Sequence, residues 1–532
     1  MSAIPRHTMS AAVPVSEMGM VITMQENSPA PRGSLPELCT FGAIALADMI
    51  RRRKVSAEEV MATYLDHIER TNPAVNAIIS LRPRDELLAE AREADDAVAR
   101  GKVLGPLHGV PQAIKDLALT RGPLTTFGSH LCADFVPDED AIIVERIRSA
   151  GALIIGKTNV PEYGYGSNSY NPLFGLTRNA YDPSKVGGGS SGGAGVALAL
   201  RMLPVADGGD MGGSLRNPAA FNNVFGFRPS QGLIPAETPD PFYAQMVVEG
   251  PMGRSIDDVA MLLAVLAGYD PRAPLSYDDL RLAQWRGLHQ TLAGVRFGWL
   301  GDLGGHLPFE PGVLALCEGA CRLLEGAGAH VEPAAIDFDP RRLWQAWVLL
   351  RSHSISGRHD NDYRNPETRR LLNAQTIWET ENGHRQSGLD VYKAGLERGA
   401  WHKALLKVFD RFDFLLLPAA QVFPFAVETR WPTEIAGRTM DSYHRWMEVV
   451  VGPTLAGAPA VSVPAGFNEA GLPMGLQIIA APRRDADLLA VAALYEKLCP
   501  WLDRLPALRW RGGEKSAQVV QLLHGVRSIG SH

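Results

Sequence analysis

The sequence predicts an α/β fold: a single large domain with a mixed, largely parallel central sheet covered by helices on both faces. Three observations lead there. Helical and strand-like patterns alternate along the chain, as crossover connections require. No internal repeat and no low-complexity linker interrupts residues 34–506. Hydrophobic residues make up 46% of the 532 and charged residues 21%, the proportions of a soluble globular chain able to bury an extensive core.

Taken in order, residues 1–33 read as a loose N-terminal tail, with Ser16 and Glu17 interrupting any signal-peptide core. Residues 34–101 form a helical lead-in. Within it "SAEEVMATYLDHIER" opens with Ser56 and Glu59 in capping-box spacing, and Val60, Tyr64 and Ile68 recur on one face. "DEDAIIVERIRSAGALIIGKTN" predicts a helix stopped by Gly151 and then a strand from Ala152 to Ile155. "GVALALRMLPVAD" and "VLALCEGACRLLEGAGAHVEPAAI" repeat the passage from helix to strand. Near the C-terminus "FDFLLLPAA", "PAVSVPAGF" and "MGLQIIAA" predict strands and "ADLLAVAALYEKL" a helix. The domain so bounded spans 34–506, and 507–532 read as an appendage holding one short helix.

A formal net charge of −6 gives no electrostatic footprint for nucleic acid. No apolar run approaches the roughly 18 residues that span a bilayer. Five cysteines, few and odd in number, argue against a disulfide framework and for a reducing, cytoplasmic compartment. Cys317 and Cys321 share a helix face, but without a matching His or Cys cluster they read as buried, apolar-like residues. Neither a metal nor any other cofactor is expected.

Two glycine-rich stretches stand out, "GGGSSGGAG" from Gly187 and "DGGDMGGSLR" from Asp207. Two familiar patterns overlap this region and both read poorly. "GALIIGKT" satisfies the spacing of a phosphate-binding loop, yet its four variable residues read as the strand itself and no long helix follows. "GGSSG" fits a nucleophile elbow centred on Ser190, yet loop-forming "NAYDPSKVGG" precedes it where a strand is needed. A third observation concerns Lys115, set inside the apolar run "LHGVPQAIKDLAL", where lysine is usually excluded. Burial would disfavour its ammonium and turn it into a general base. The alternative is a surface lysine at a strand end, paired with Asp116.

The stretches "GVPQAIKD", "GALIIGKTNVPEYGYGS", "TRNAYDPSKVGGGSSGG", "DGGDMGGSLRNPAAF" and "GFRPSQG" occur in one order, followed by "LAGAPAVSVPAGFNEAGLPMGLQIIA". In these the chain resembles the amidase signature family, hydrolases that use a Ser-Ser-Lys triad. The resemblance covers most of residues 34–506. It implies that Ser214 is the nucleophile, Ser190 a bridging serine on a non-proline cis peptide, and Lys115 the base. Backbone N–H groups of Met211, Gly212, Gly213 and Ser214 are then the candidate oxyanion hole, since successive amides in a glycine-rich turn make an anion site. Ser191 supports by hydrogen bonding, and Asp210 and Arg216 read as a structural pair. Lys157 and Lys185 are rival bases by composition; Lys185 should be solvated, Lys157 a structural contact, and neither readily neutralised.

The resemblance implies amide hydrolysis through an acyl-enzyme, with a small-molecule amide as substrate, no nucleic acid or membrane partner, and room for a homodimer. One departure concerns the flanks of Asp210, where the family usually carries threonines and this chain has Gly209 and Met211. A concentration of aromatics between Arg341 and Trp446 leans the expected substrate toward a hydrophobic or aryl amide. The alternatives are a glutamine-hydrolysing amidotransferase subunit that works with a partner, and a non-catalytic binding subunit.

Overall fold

The computed structural model describes residues 35–102, 105–242 and 246–507. The expected tail at 1–33 and all but the first residue of the appendage at 507–532 lie outside the described residues. Among those described, no helix is long and apolar enough to cross a membrane.

The centre is an eight-stranded sheet. Its strands run in the order His330–Pro333, Arg296–Trp299, Phe414–Pro418, Pro473–Ile479, Ala460–Phe467, Phe225–Arg228, Val248–Gly253 and Val205–Asp210. The sheet is mixed, as expected, with fewer parallel pairings than the alternation of patterns suggests. Arg296–Trp299 pairs in parallel with both His330–Pro333 and Phe414–Pro418. The remaining neighbours are antiparallel. The reason lies in the connections. The helix Val313–Gly326 crosses over between two parallel strands, whereas residues 468–472 close a short turn between Ala460–Phe467 and Pro473–Ile479, which only antiparallel strands allow.

Helices cover the two faces. Gly475 presents its bare α-carbon to Ala220 of the helix Arg216–Asn222. Gly466 sits opposite Met474, one residue away and hence on the other face, and meets Leu316 of Val313–Gly326. The lead-in holds the helices Ala43–Arg51, Ala57–Thr71 and Arg84–Ala99 together with the short strand Ile78–Ile79. Ser56 Oγ accepts the Glu59 N–H at 2.9 Å to start the helix Ala57–Thr71, which buries Val60, Tyr64 and Ile68.

A second, three-stranded sheet sets Leu153–Thr158 between Ile78–Ile79 and Pro111–Lys115. Most of the segment that imitates a phosphate loop is therefore strand. This small sheet abuts the edge of the large one, where the Lys115 N–H donates to the Asp207 carboxylate at 3.1 Å. That junction brings Lys115 up to the strand Val205–Asp210 and the turn that follows it.

Close packing at Gly475 makes the first prediction. A Cβ there would lie 2.9 Å from Ala220 Cβ and 2.6 Å from Ser462 Oγ. Gly475→Val should lower stability by about 1–3 kcal/mol, as overpacked cores do, read as an earlier denaturant midpoint; an unchanged midpoint would contradict this packing.

Candidate active site

Lys115 ends its strand with a side chain only 2% exposed. Its Nζ donates to Ser190 Oγ at 2.9 Å, Ser191 Oγ at 2.8 Å and the Gly209 carbonyl at 3.0 Å. The pairing with Asp116 is not made. That carboxylate accepts the Thr126 hydroxyl at 2.6 Å and the Thr126 N–H at 3.1 Å. Burial pulls the Lys115 pKa down to about 8, against the opposing charges of Glu249, Asp207 and Asp210.

The stretch before Ser190 has no room for side chains. A Cβ on Gly189 would stand 2.8 Å from the Asn168 amide nitrogen, and Gly188, at φ +79°, lies against Pro218. The Gly189–Ser190 peptide is cis. Ser169 Oγ donates to the Ser190 carbonyl at 3.2 Å and accepts the Gly192 N–H at 3.1 Å, which joins the serine loop to the helix Gly192–Ala199. The Ser191 N–H donates to the Ser214 carbonyl at 3.2 Å, so the two glycine-rich stretches are tied together.

Between the strand Val205–Asp210 and the helix Arg216–Asn222 the chain makes a tight turn around the Asp210 carboxylate. Arg216 grips it with Nη2 at 2.9 Å and Nε at 3.0 Å, and Arg228 Nη1 adds a contact at 3.2 Å, all fully buried. Arg228 also donates to the Asp210 carbonyl. Burial pushes the Asp210 carboxyl up, but the two guanidinium groups hold it well below the usual carboxylate range. Asp210 thus stays charged and fixes the turn.

The turn sorts the four candidate oxyanion donors. The Gly213 N–H donates to Asp210 Oδ1 at 3.0 Å and is committed there. The N–H groups of Met211, Gly212 and Ser214 meet no acceptor among the described residues. Met211 is held from behind by the helix Pro340–Arg364. Trp347 Nε1 donates to its carbonyl at 3.4 Å and Arg351 Nη1 to its sulfur at 2.9 Å.

A cavity of about 1270 Å³ opens on this constellation, lined by Lys115, Ser190, Gly209, Met211, Gly212 and Ser214. Gly213 is not in its wall. No hydrogen bond joins Ser190 Oγ to Ser214 Oγ among the described residues; the two hydroxyls share the cavity. Phe127, Leu131, Tyr163, Ile234, Met246 and Ile355 give much of the remaining wall an apolar character, with Glu249, Arg351 and His359 among its polar members.

The rival lysines fall elsewhere. Lys185 is half-buried in its loop. Lys157 requires a correction, because it lies within the strand rather than beyond it and is fully buried. Its Nζ donates to the Ala118 carbonyl at 2.6 Å and Thr120 Oγ1 at 2.8 Å, and burial pulls its pKa down to about 8 as well. It is as easily neutralised as Lys115 but does not reach the cavity. Among the described residues no group of three or more His, Cys, Asp or Glu side chains could hold a metal ion.

Sequence reasoning missed Glu249, the buried Asp207 and Ser169. Glu249 left a faint signal, a lone carboxylate within "MVVEGPMG".

The family model described as Amidase matches residues 59–489. The chain belongs to the amidase signature family. As a member it is a hydrolase of carboxylic amides. An acylamidase of Rhodococcus erythropolis is 33% identical over 473 residues, covering 88% of this chain and 97% of the relative. A glutamyl-tRNA(Gln) amidotransferase subunit of Symbiobacterium thermophilum is 35% identical over 484 residues, with 86% and 97% covered. The crystal structure of a bacterial aryl acylamidase of the amidase signature family superposes with a TM-score of 0.82 at 29% identity, covering 88% of this chain and 98% of that one.

The Asp210 cluster yields the second prediction. Asp210→Asn leaves Arg216 and Arg228 buried with their shared countercharge gone, and breaking a buried pair in this way costs about 3–5 kcal/mol. The amidase should unfold at a clearly lower denaturant concentration; a midpoint equal to wild type would contradict the cluster's role.

Proposed function

We propose that this amidase cleaves its substrate through an acyl-enzyme on Ser214, with Lys115 as base and Ser190 as the relay between them. The observation that carries this is the contact of the buried Lys115 Nζ with Ser190 Oγ at 2.9 Å, in the wall of the cavity that Ser214 also lines. An ammonium has three N–H groups and finds three acceptors here. A neutral amine has two N–H groups and one lone pair. The Gly209 carbonyl can only accept, so one N–H stays with it; a second serves Ser191 Oγ. The lone pair is left for the Ser190 hydroxyl.

In the forward step Ser214 Oγ attacks the amide carbonyl carbon. Its proton passes to Ser190 Oγ as the Ser190 proton passes to Lys115 Nζ, which supplies the base a hydroxyl nucleophile needs. The gap between the two hydroxyls closes when substrate seats, since catalytic hydrogen bonds commonly tighten only in the complex. The developing oxyanion is met by the N–H groups of Met211 and Gly212, aided by that of Ser214; each such donor is worth about 10² to 10³ in turnover. As the C–N bond breaks, the Lys115 proton returns through Ser190 to the leaving amine. Water then attacks the Ser214 ester along the same path and releases the acid. Residues 34–506 make up the catalytic unit in this reading.

The substrate is a hydrophobic or aryl amide. The apolar walls of the cavity support this, and the acylamidase and aryl acylamidase likenesses agree with it. The likeness to amidotransferase subunits favours glutamine as the second reading.

One panel tests both: wild type, Ser214→Ala and Lys115→Ala against acyl anilides, aliphatic amides, carbamates and glutamine. Anilides should be turned over by wild type alone, with each variant slower by at least about 10³, the scale seen when a triad member is removed. A preference for glutamine would overturn the substrate assignment, and a Lys115→Ala rate within a few-fold of wild type would overturn the mechanism.

A further inference from the structure

In the antiparallel register Glu249 sits directly across from Gly209. A Cβ at Gly209 would lie 2.7 Å from Glu249 Oε2 and 3.2 Å from Oε1, so the carboxyl rests on the bare α-carbon. Any residue with a side chain at 209 would displace it. The Gly209 carbonyl meanwhile accepts Lys115 Nζ at 3.0 Å. A single backbone residue thus separates the amine from a carboxyl group. Glu249 shares the cavity wall with Lys115, Ser190 and Ser214, and among the described residues its carboxyl makes no hydrogen bond and no ion pair.

We infer that Glu249 is a positioning residue that sets the charge of Lys115 from across Gly209. The inference rests on Lys115 being the base. The other charged groups near the amine have hydrogen-bond partners of their own. Asp210, on the same strand as Gly209, is clamped by Arg216 and Arg228 and stays ionised. Asp207, deeper in that strand, spends its carboxylate on the Lys115 backbone N–H. Lys157 faces Asp207 and Asp116 from the neighbouring strand, is held by Ala118 and Thr120, and is itself pulled down to about 8 by burial, but it does not line the cavity. Glu249 is different: burial pushes its carboxyl up to about 7, with Lys115 lowering it and Asp207 raising it. Its charge therefore changes close to the pH at which Lys115 must lose a proton.

The direction follows. An anionic Glu249 favours the ammonium, which cannot act as base; removing that charge lets Lys115 deprotonate at lower pH. A charge within about 4–6 Å moves a neighbouring pKa by roughly 1–3 units. The acid limb of kcat/KM, which reports the free enzyme's base, should lie near pH 8 in wild type. In Glu249→Gln it should fall by about one pH unit or more. Glu249→Asp, whose carboxyl is withdrawn by one methylene, should fall between the two, so either variant alone decides if the other does not fold.

The experiment measures kcat/KM against pH for wild type, both Glu249 variants and Lys115→Ala, on a neutral anilide and on the same anilide bearing an ammonium group. Downward displacement of the limb on both substrates supports the inference. Unmoved limbs with Lys115→Ala inactive would overturn it and leave the proposed mechanism standing. An active Lys115→Ala would overturn both. Unmoved limbs with KM raised only for the cationic anilide would make Glu249 a substrate-binding carboxylate, which also overturns it.

Discussion

An amine cut off from water must satisfy its N–H groups within the protein or give up its charge. Lys115 meets that constraint with three oxygens, two from the serine pair and one from the Gly209 backbone. Much else in this region follows from it. The small sheet has to end where the large sheet's edge strand begins, so that Lys115 can reach Gly209. Gly189 has to be glycine because backbone from Ser167–Ser169 occupies the space where its side chain would go, and Gly188 because it lies at positive φ against Pro218. Ser169 then pins the loop in place from both sides of the serine pair.

The turn carrying Ser214 is organised around a different charge. Asp210 is as deeply buried as Lys115 but keeps its ionised form, because two guanidinium groups surround it. Two buried titratable groups close together in the fold are thus driven to opposite outcomes, one toward neutrality and one away from it. Such a divergence typifies sites that move protons. Asp210 also spends the Gly213 amide, while Met211 and Gly212 line the cavity. The helix Pro340–Arg364 seals the back of the turn, with Trp347 closing against Gly212.

Most elements could be read from residue patterns, because strong helical periodicity and glycine stops mark them out: Val313–Gly326 and its strand, the hairpin from Ala460 to Ile479, and the helix after Arg484 all lie where the pattern puts them. Strand direction could not be read, since alternation of helix and strand does not reveal which helices cross over. Lys115 was legible as a charge inside an apolar run. Lys157 was misjudged because it sits at the end of its strand run, where pattern alone cannot tell a buried lysine from a solvated one. Glu249 left only the faint signal of a lone carboxylate, for a further reason: its significance comes from a cross-strand neighbour 40 residues away that happens to lack a side chain. The absence of threonine at 209 was legible; what fills the space was not.

The mechanism stands on one claim, that buried Lys115 gives up its charge at mildly alkaline pH, well below the ordinary lysine range. Its most direct test is a heteronuclear NMR titration of isotope-labelled lysines in the intact protein, with the Lys115 signal assigned by its loss in Lys115→Met and set apart from Lys157 by the corresponding Lys157→Met spectrum. The account predicts a midpoint for Lys115 near 8. A midpoint at the ordinary lysine value of about 10.4 would contradict it.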